Sequence, residues 1–202
     1  MRLTGKRTLR LREYRRISTL LFAFGVGATL LSGCMTQAGA SVCHTNVAAV
    51  GSTSISRAEY NRFLQYTLAF YEKAYPSSRY FGKSMCTQSS LAKLCRSIKV
   101  DLQSRMIDQQ IVSEYAAAHG LLPDSTDWNT ALQQERQIAR NAGGEPAFIA
   151  YLAKLKTDQA QFRFLESQEI ETTKVIHSMT RARFTLWLNR QEHAKTVVRC
   201  SV

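Results

Sequence analysis

The chain has 202 residues, with 27 Lys and Arg against 15 Asp and Glu and a formal charge of +12. Residues 1–33 hold seven of the 27 bases and one of the 15 acids, so the other 169 residues carry 20 against 14, or +6. That length suffices for one domain with a real core or for two small lobes, and the modest charge, with no arginine cluster interleaved with aromatics, argues against a nucleic-acid partner.

The first element is a leader. Arg2, Lys6, Arg7, Arg10, Arg12, Arg15 and Arg16 precede an apolar run from Leu20 to Leu31, which ends in Leu31-Ser32-Gly33-Cys34. A basic start, a short apolar segment and a small-residue exit mark a secretory signal peptide. The Leu-Ser-Gly-Cys close resembles a bacterial lipobox. On that reading residues 1–33 are removed and Cys34 is the lipidated N-terminus, holding the protein on the extracytoplasmic face of a membrane in the cell envelope. Two acyl chains anchor far better than one, since each buried methylene adds about 0.8 kcal/mol. The alternative is a retained transmembrane helix, for which the run from Ile17 to Gly33 is close to the lower length limit. Residues 34–45, with Gly39, Ala40 and Ser41, read as a tether.

Val47-Ala48-Ala49-Val50 then reads as a buried strand closed by Gly51. Ser56-Arg57-Ala58-Glu59 is a capping box, with Glu59 reaching back to the Ser56 amide. Tyr60, Phe63, Leu64, Thr67, Leu68 and Tyr71 recur at helical spacing, up to a stop by Pro76. Residues 76–87 read as a loop. A long helix runs from about Ser89 to Ala118, striped by Leu91, Leu94, Ile98, Leu102, Ile107 and Ile111 and ended by Gly120. Asp124 or Ser125 caps the next helix, which lasts to Asn141 before Gly143-Gly144 breaks it. Glu145-Pro146 opens a short helix, and Thr157 caps another carrying Phe162, Leu165, Glu169, Thr172 and Ile176. Ala182, Phe184, Leu186 and Leu188 alternate with Arg181, Arg183, Thr185 and Trp187, a strand signal, and a short helix from Gln191 to Val198 finishes the chain. The fold class is mainly α: a multi-helix bundle with one long helix and a minor two-stranded β element from the chain ends.

Cys43, Cys86, Cys95 and Cys200 remain beside Cys34. Outside the cytoplasm an even number favours disulfides, in one of three connectivities. Cys86–Cys95 closes a short loop ahead of the long helix. Cys43–Cys200 ties the ends of the folded part together, where the chain-entropy gain is about 4–5 kcal/mol. Without a Cys-x-x-Cys pair, and with scattered histidines, zinc is disfavoured, so no metal or other cofactor is expected.

The order of elements resembles the N-terminal chaperone module of the SurA and PrsA family of exported foldases. The residues that carry the likeness are Asn46 to Tyr60, Ile107 to Leu121 with its Tyr115-Ala116-Ala117-Ala118-His119-Gly120 turn, and Phe148-Ile149-Ala150-Tyr151-Leu152 followed by Phe162-Arg163-Phe164-Leu165. The likeness covers roughly residues 46–178, with 46–180 as the helical domain. The family's Val-Asn-Gly turn stands here as Val50-Gly51-Ser52. Members often continue into a parvulin prolyl isomerase whose first strand reads Ala-Arg-His-Ile-Leu. Ala182-Arg183-Phe184-Thr185-Leu186 occupies that place, with Phe184 for the histidine. Residues 181–202 would then be a strand and short helix left from the start of that domain, and pairing of that strand with Val47–Val50 would bring Cys43 towards Cys200 if the two are antiparallel. The resemblance implies a holding module for unfolded or newly exported proteins, without ATP and without the isomerase. A dedicated envelope assembly factor and a degenerate prolyl isomerase are the alternatives.

No catalytic residues emerge. His44, His119, His177 and His193 have no Ser, Cys or carboxylate partner in a recognised motif, and His119 reads as a helix-end residue. Glu166, Glu169 and Glu171 read as a wet helix face. Tyr66 and Phe70 lie partly off their helix stripe and Trp187 points away from the apolar face of its strand, so these three are the candidates for client binding.

Overall fold

The computed structural model describes residues 43–74 and 79–202. The leader, Cys34 and most of the tether therefore lie outside the described residues, as does Pro76. Asn46–Val50 forms β1 and Thr53–Ser56 forms β2, joined by a tight turn in which Gly51 takes φ 57°. That left-handed conformation is one a side chain resists. Ser56 then caps helix α1, Arg57–Ala69, by accepting the Glu59 amide at 3.1 Å, the serine half of a capping box. The helix continues as a π-turn, Phe70–Ala74. There the Glu72 carboxylate accepts the Met85 amide at 2.8 Å and its carbonyl accepts the Gly82 amide at 2.7 Å, which fixes the turns that follow.

A 3-10 turn at Ser89–Leu91 leads into the long helix α2, Ala92–Ala118, of 27 residues or ~40 Å. Its end is a Schellman turn: Gly120 has φ 67° and the Leu121 amide donates to the Ala116 carbonyl at 2.8 Å. Helix α3, Ser125–Ala142, starts with a full capping box between Asp124 and Asp127 and stops at Gly143, φ 106°. Helix α4 is Glu145–Lys154, and α5 is Gln159–Met179. The cap of α5 is Asp158, whose carboxylate accepts the Gln161 amide at 2.7 Å, not Thr157. The aspartate oxygen is a charged acceptor and wins over the hydroxyl one residue earlier.

Arg181–Ala194 is a helix, α6, and not a strand. Phe184 and Leu188, four apart, are both buried, whereas Leu186 is 59 % exposed. A strand would have put all three on one face; a helix separates them. The expected helix from Gln191 to Val198 likewise ends at Ala194, and Val197–Arg199 forms β3. The β-branched pair Val197-Val198 suits an extended edge. β3 lies antiparallel to β1, with Ala48 opposite Arg199 and Val50 opposite Val197, so the sheet has three strands in the order β2-β1-β3 rather than two.

The main core lies between this sheet and the helices. It joins Val47, Val50 and Ile55 to Tyr60 and Phe63 of α1, Ile107, Ile111 and Val112 of α2, Val175 of α5, and Phe184 and Leu188 of α6. A second, smaller core holds Phe148, Leu152 and Phe162, with Ile138 and Tyr151 against it. Helix α5 serves both: Phe162 near its start belongs to the small core and Val175 near its end to the main one. The molecule is mainly α, a bundle with one long helix and a minor sheet. Among the described residues no helix is long and apolar enough to cross a membrane.

Candidate client-binding surface

The aromatic residues proposed for client contact are mostly inside. Tyr66 is 8 % exposed and Phe70 is 2 % exposed. Their rings lie 6.4 Å apart, and Phe70 meets Tyr71 edge-on at 6.2 Å. Helical spacing explains the correction for Tyr66: it stands three positions from Phe63 on one face of α1, and that face is covered. Phe70, four positions after Tyr66 and seven after Phe63, lies on the same covered face. Trp187 is half-buried, 4.7 Å from the Tyr115 ring and 5.7 Å from Phe184, because α6 turns it towards α2. These three residues do not form an open surface.

An apolar group left outside near them is Phe164 of α5, 44 % exposed, with its ring 6.0 Å from Phe63. It stands at the waist between the two cores. Close to it in sequence, the carboxylate face expected to be wet is only partly so, with Glu166, Glu169 and Glu171 each half-buried. Burial, then Glu169, then Glu135, push the Glu166 carboxyl up to about 7, and burial raises Glu169 too. Burial, with Glu166 nearby, pushes the Tyr66 phenol up to about 12, so it stays a neutral hydrogen-bonding group. Glu135 is buried but fully engaged: Arg163 grips it through Nε at 2.8 Å and Nη2 at 3.0 Å, and Gln159 donates at 3.2 Å. Glu171 is taken by the Ser113 hydroxyl of α2. The waist of α5 therefore offers an exposed phenylalanine, and two residues on the Glu166 carboxyl is half-protonated near neutral pH.

The histidines play no such part. His119 caps α2, stacked on Tyr115 at 3.8 Å with Nδ1 2.8 Å from the Tyr115 carbonyl oxygen. Among the described residues no histidine hydrogen-bonds to a serine, cysteine or carboxylate side chain, and no group of three His, Cys, Asp or Glu is placed to hold a metal. The cysteines are brought together in pairs: Cys43 with Cys200, Cα atoms 5.4 Å apart, and Cys86 with Cys95, 5.2 Å apart.

Two polar devices escaped the sequence reading. Gln103, buried on α2, donates from Nε2 to the Val47 carbonyl at 2.7 Å and to the Cys200 carbonyl at 2.8 Å, clamping the sheet to the helix. Its signal was a lone amide four residues before Ile107, on the apolar stripe. Asp108 of α2 hydrogen-bonds to Glu192 of α6, a pair 84 residues apart that no local pattern links. The comparisons add no relative: no family model, curated protein or solved structure matches the chain.

Proposed function

We propose that the protein is a membrane-tethered, ATP-independent holding factor for apolar segments of newly exported proteins. The observation that carries this reading is Phe164 of α5, a half-open ring that stands against Phe63 of α1. The paired cysteines fit an oxidising compartment, in keeping with the lipobox-like Leu31-Ser32-Gly33-Cys34. The resemblance in element order supports the same role. Prolyl isomerisation is not part of the proposal, because residues 181–194 are helical where a parvulin domain would place its first strand.

A dedicated assembly factor for one envelope partner is the second reading. It is favoured by how little apolar surface the waist leaves open once Tyr66 and Phe70 are buried. An aggregation assay with the full-length protein decides. Suppression of aggregation for several unrelated unfolded proteins, weakened about threefold or more in Phe164→Ser, supports general holding; a truncated phenyl ring forfeits 1 kcal/mol or so of buried contact. Protection of none of them overturns it.

A further inference from the structure

We propose that the outward face of α6 docks on an anionic lipid surface. The inward side of this helix is committed to the protein: Phe184 and Leu188 are buried, Trp187 packs on Tyr115, and Glu192 pairs with Arg199 at 3.0 Å. The outward side carries Arg183, Leu186, Arg190 and His193, at helical spacings of three, four and three. All four are exposed, and Leu186, at 59 %, stands between the two arginines. The acids that form ion pairs among the described residues take other cations: Lys195 pairs with Glu114, Lys174 with Asp124 and Asp127, Arg163 with Glu135, and Arg199 with Glu192. Arg183 and Arg190 take no acid among the described residues, and the sole acid of α6, Glu192, faces inward. Two uncompensated guanidinium groups flanking an exposed leucine match a bilayer interface, where phosphates meet acyl chains.

The topology favours a membrane over an acidic protein. Thr196 alone separates Lys195, the C-cap of α6, from β3, and Cys200 just beyond β3 is bonded to Cys43. The incoming chain is thus fastened beside the C-terminal end of α6. Only eight residues separate Cys34 from Cys43, ~30 Å at full stretch. This second argument rests on the reading of Cys34 as the lipid anchor; the charge and exposure of the face do not.

The test is the reactivity of single arginines towards phenylglyoxal, read by peptide mass spectrometry on the full-length protein in vesicles. Arg136, exposed on α3, is the internal reference. In phosphatidylcholine mixed with phosphatidylglycerol, Arg183 and Arg190 should react about fivefold more slowly than in phosphatidylcholine alone, with Arg136 unchanged. Salt at about 0.5 M should restore them, because screening then reaches only a few Å. Equal rates in the two lipids, or an equal loss at Arg136, overturn the proposal. So does slowing by soluble polyglutamate with none by the anionic vesicles, which would assign the face to an acidic protein. The intact mass of the same sample reports acylation of Cys34 separately, so failure of the tether and failure of the face are distinguishable.

Discussion

Asp108 and Glu192 share a hydrogen bond between carboxyl groups, which requires a proton. Burial first, then the charge and hydrogen bond of Glu192, push Asp108 up to about 7, against the opposing pull of Arg199 and Arg105. The native state therefore binds this proton more tightly than the unfolded chain, where an aspartate titrates near 3.8. The added stability is present in full below pH 4 and is lost as pH rises to about 7, with a ceiling of about 4 kcal/mol. Glu166, also pushed up to about 7, acts in the same sense. Urea denaturation should show stability falling between pH 5 and pH 8, and Asp108→Asn should flatten that slope while keeping a donor for Glu192. A slope unchanged by the substitution would show that the pair does not hold the proton. Gln103 makes a second prediction. In Gln103→Leu the Cys200 carbonyl loses its amide donor inside the protein, whereas the Val47 carbonyl keeps the Cys200 amide at 2.8 Å. The expected loss is about 1–3 kcal/mol, and Gln103→Glu, which sets an acceptor against two carbonyls, should cost more. Thermal melts of the three proteins check the order.

The elements that were legible in the sequence are those whose signals are local. Ser56, Asp124, Gly120 and Gly143 mark helix ends through their own chemistry, and each stands at the end it announced. Residues 181–199 were not legible, because a run of eight alternating residues fits a strand as well as a helix when only Phe184 and Leu188 will be buried. Packing of α6 against α2 and α5 decides the matter, and that information lies far away in the chain. The candidate site was misread for a related reason: Tyr66 comes to lie near Glu166, a hundred positions on, and Glu166 near Glu135, thirty-one positions back, and no local pattern announces either meeting. The junction before α6 carries its own prediction. Thr180 has φ 66° and ψ 151°, with no side-chain cap bond to α6. That region is nearly reserved for glycine and costs a side chain about 1–3 kcal/mol. Glycine gives back ~0.5–1 kcal/mol through the unfolded chain, so Thr180→Gly should stabilise by about 1 kcal/mol. A higher urea midpoint at constant slope is the expected result; a lower midpoint would mean that α5 and α6 meet in another way.

At the scale of the whole molecule, the chain is closed at its ends. β1 is flanked by β2, its neighbour in sequence, and by β3, the last element, and the Cys200 amide continues that ladder to Val47. Cys43–Cys200 spans 157 positions, while Cys86–Cys95 spans 9. In the chain-entropy picture the first restricts the unfolded chain by about 5 kcal/mol and the second by about 2.5 kcal/mol. The two also guard different things. The long link holds β3 on β1, and with it the end of α6 that Glu192 and Lys195 fasten to α2 and β3. The short link holds the turns that Glu72 positions below the start of α2, where Met85 is fully buried. The double variant Cys43→Ser/Cys200→Ser should therefore unfold at a clearly lower urea concentration than Cys86→Ser/Cys95→Ser. It should also expose amides of residues 197–200 and 47–50 to hydrogen exchange before the rest of the protein opens. Equal losses in the two variants would mean that the ends are held by the sheet and the Gln103 clamp alone, with the covalent tie adding no more than a local loop closure.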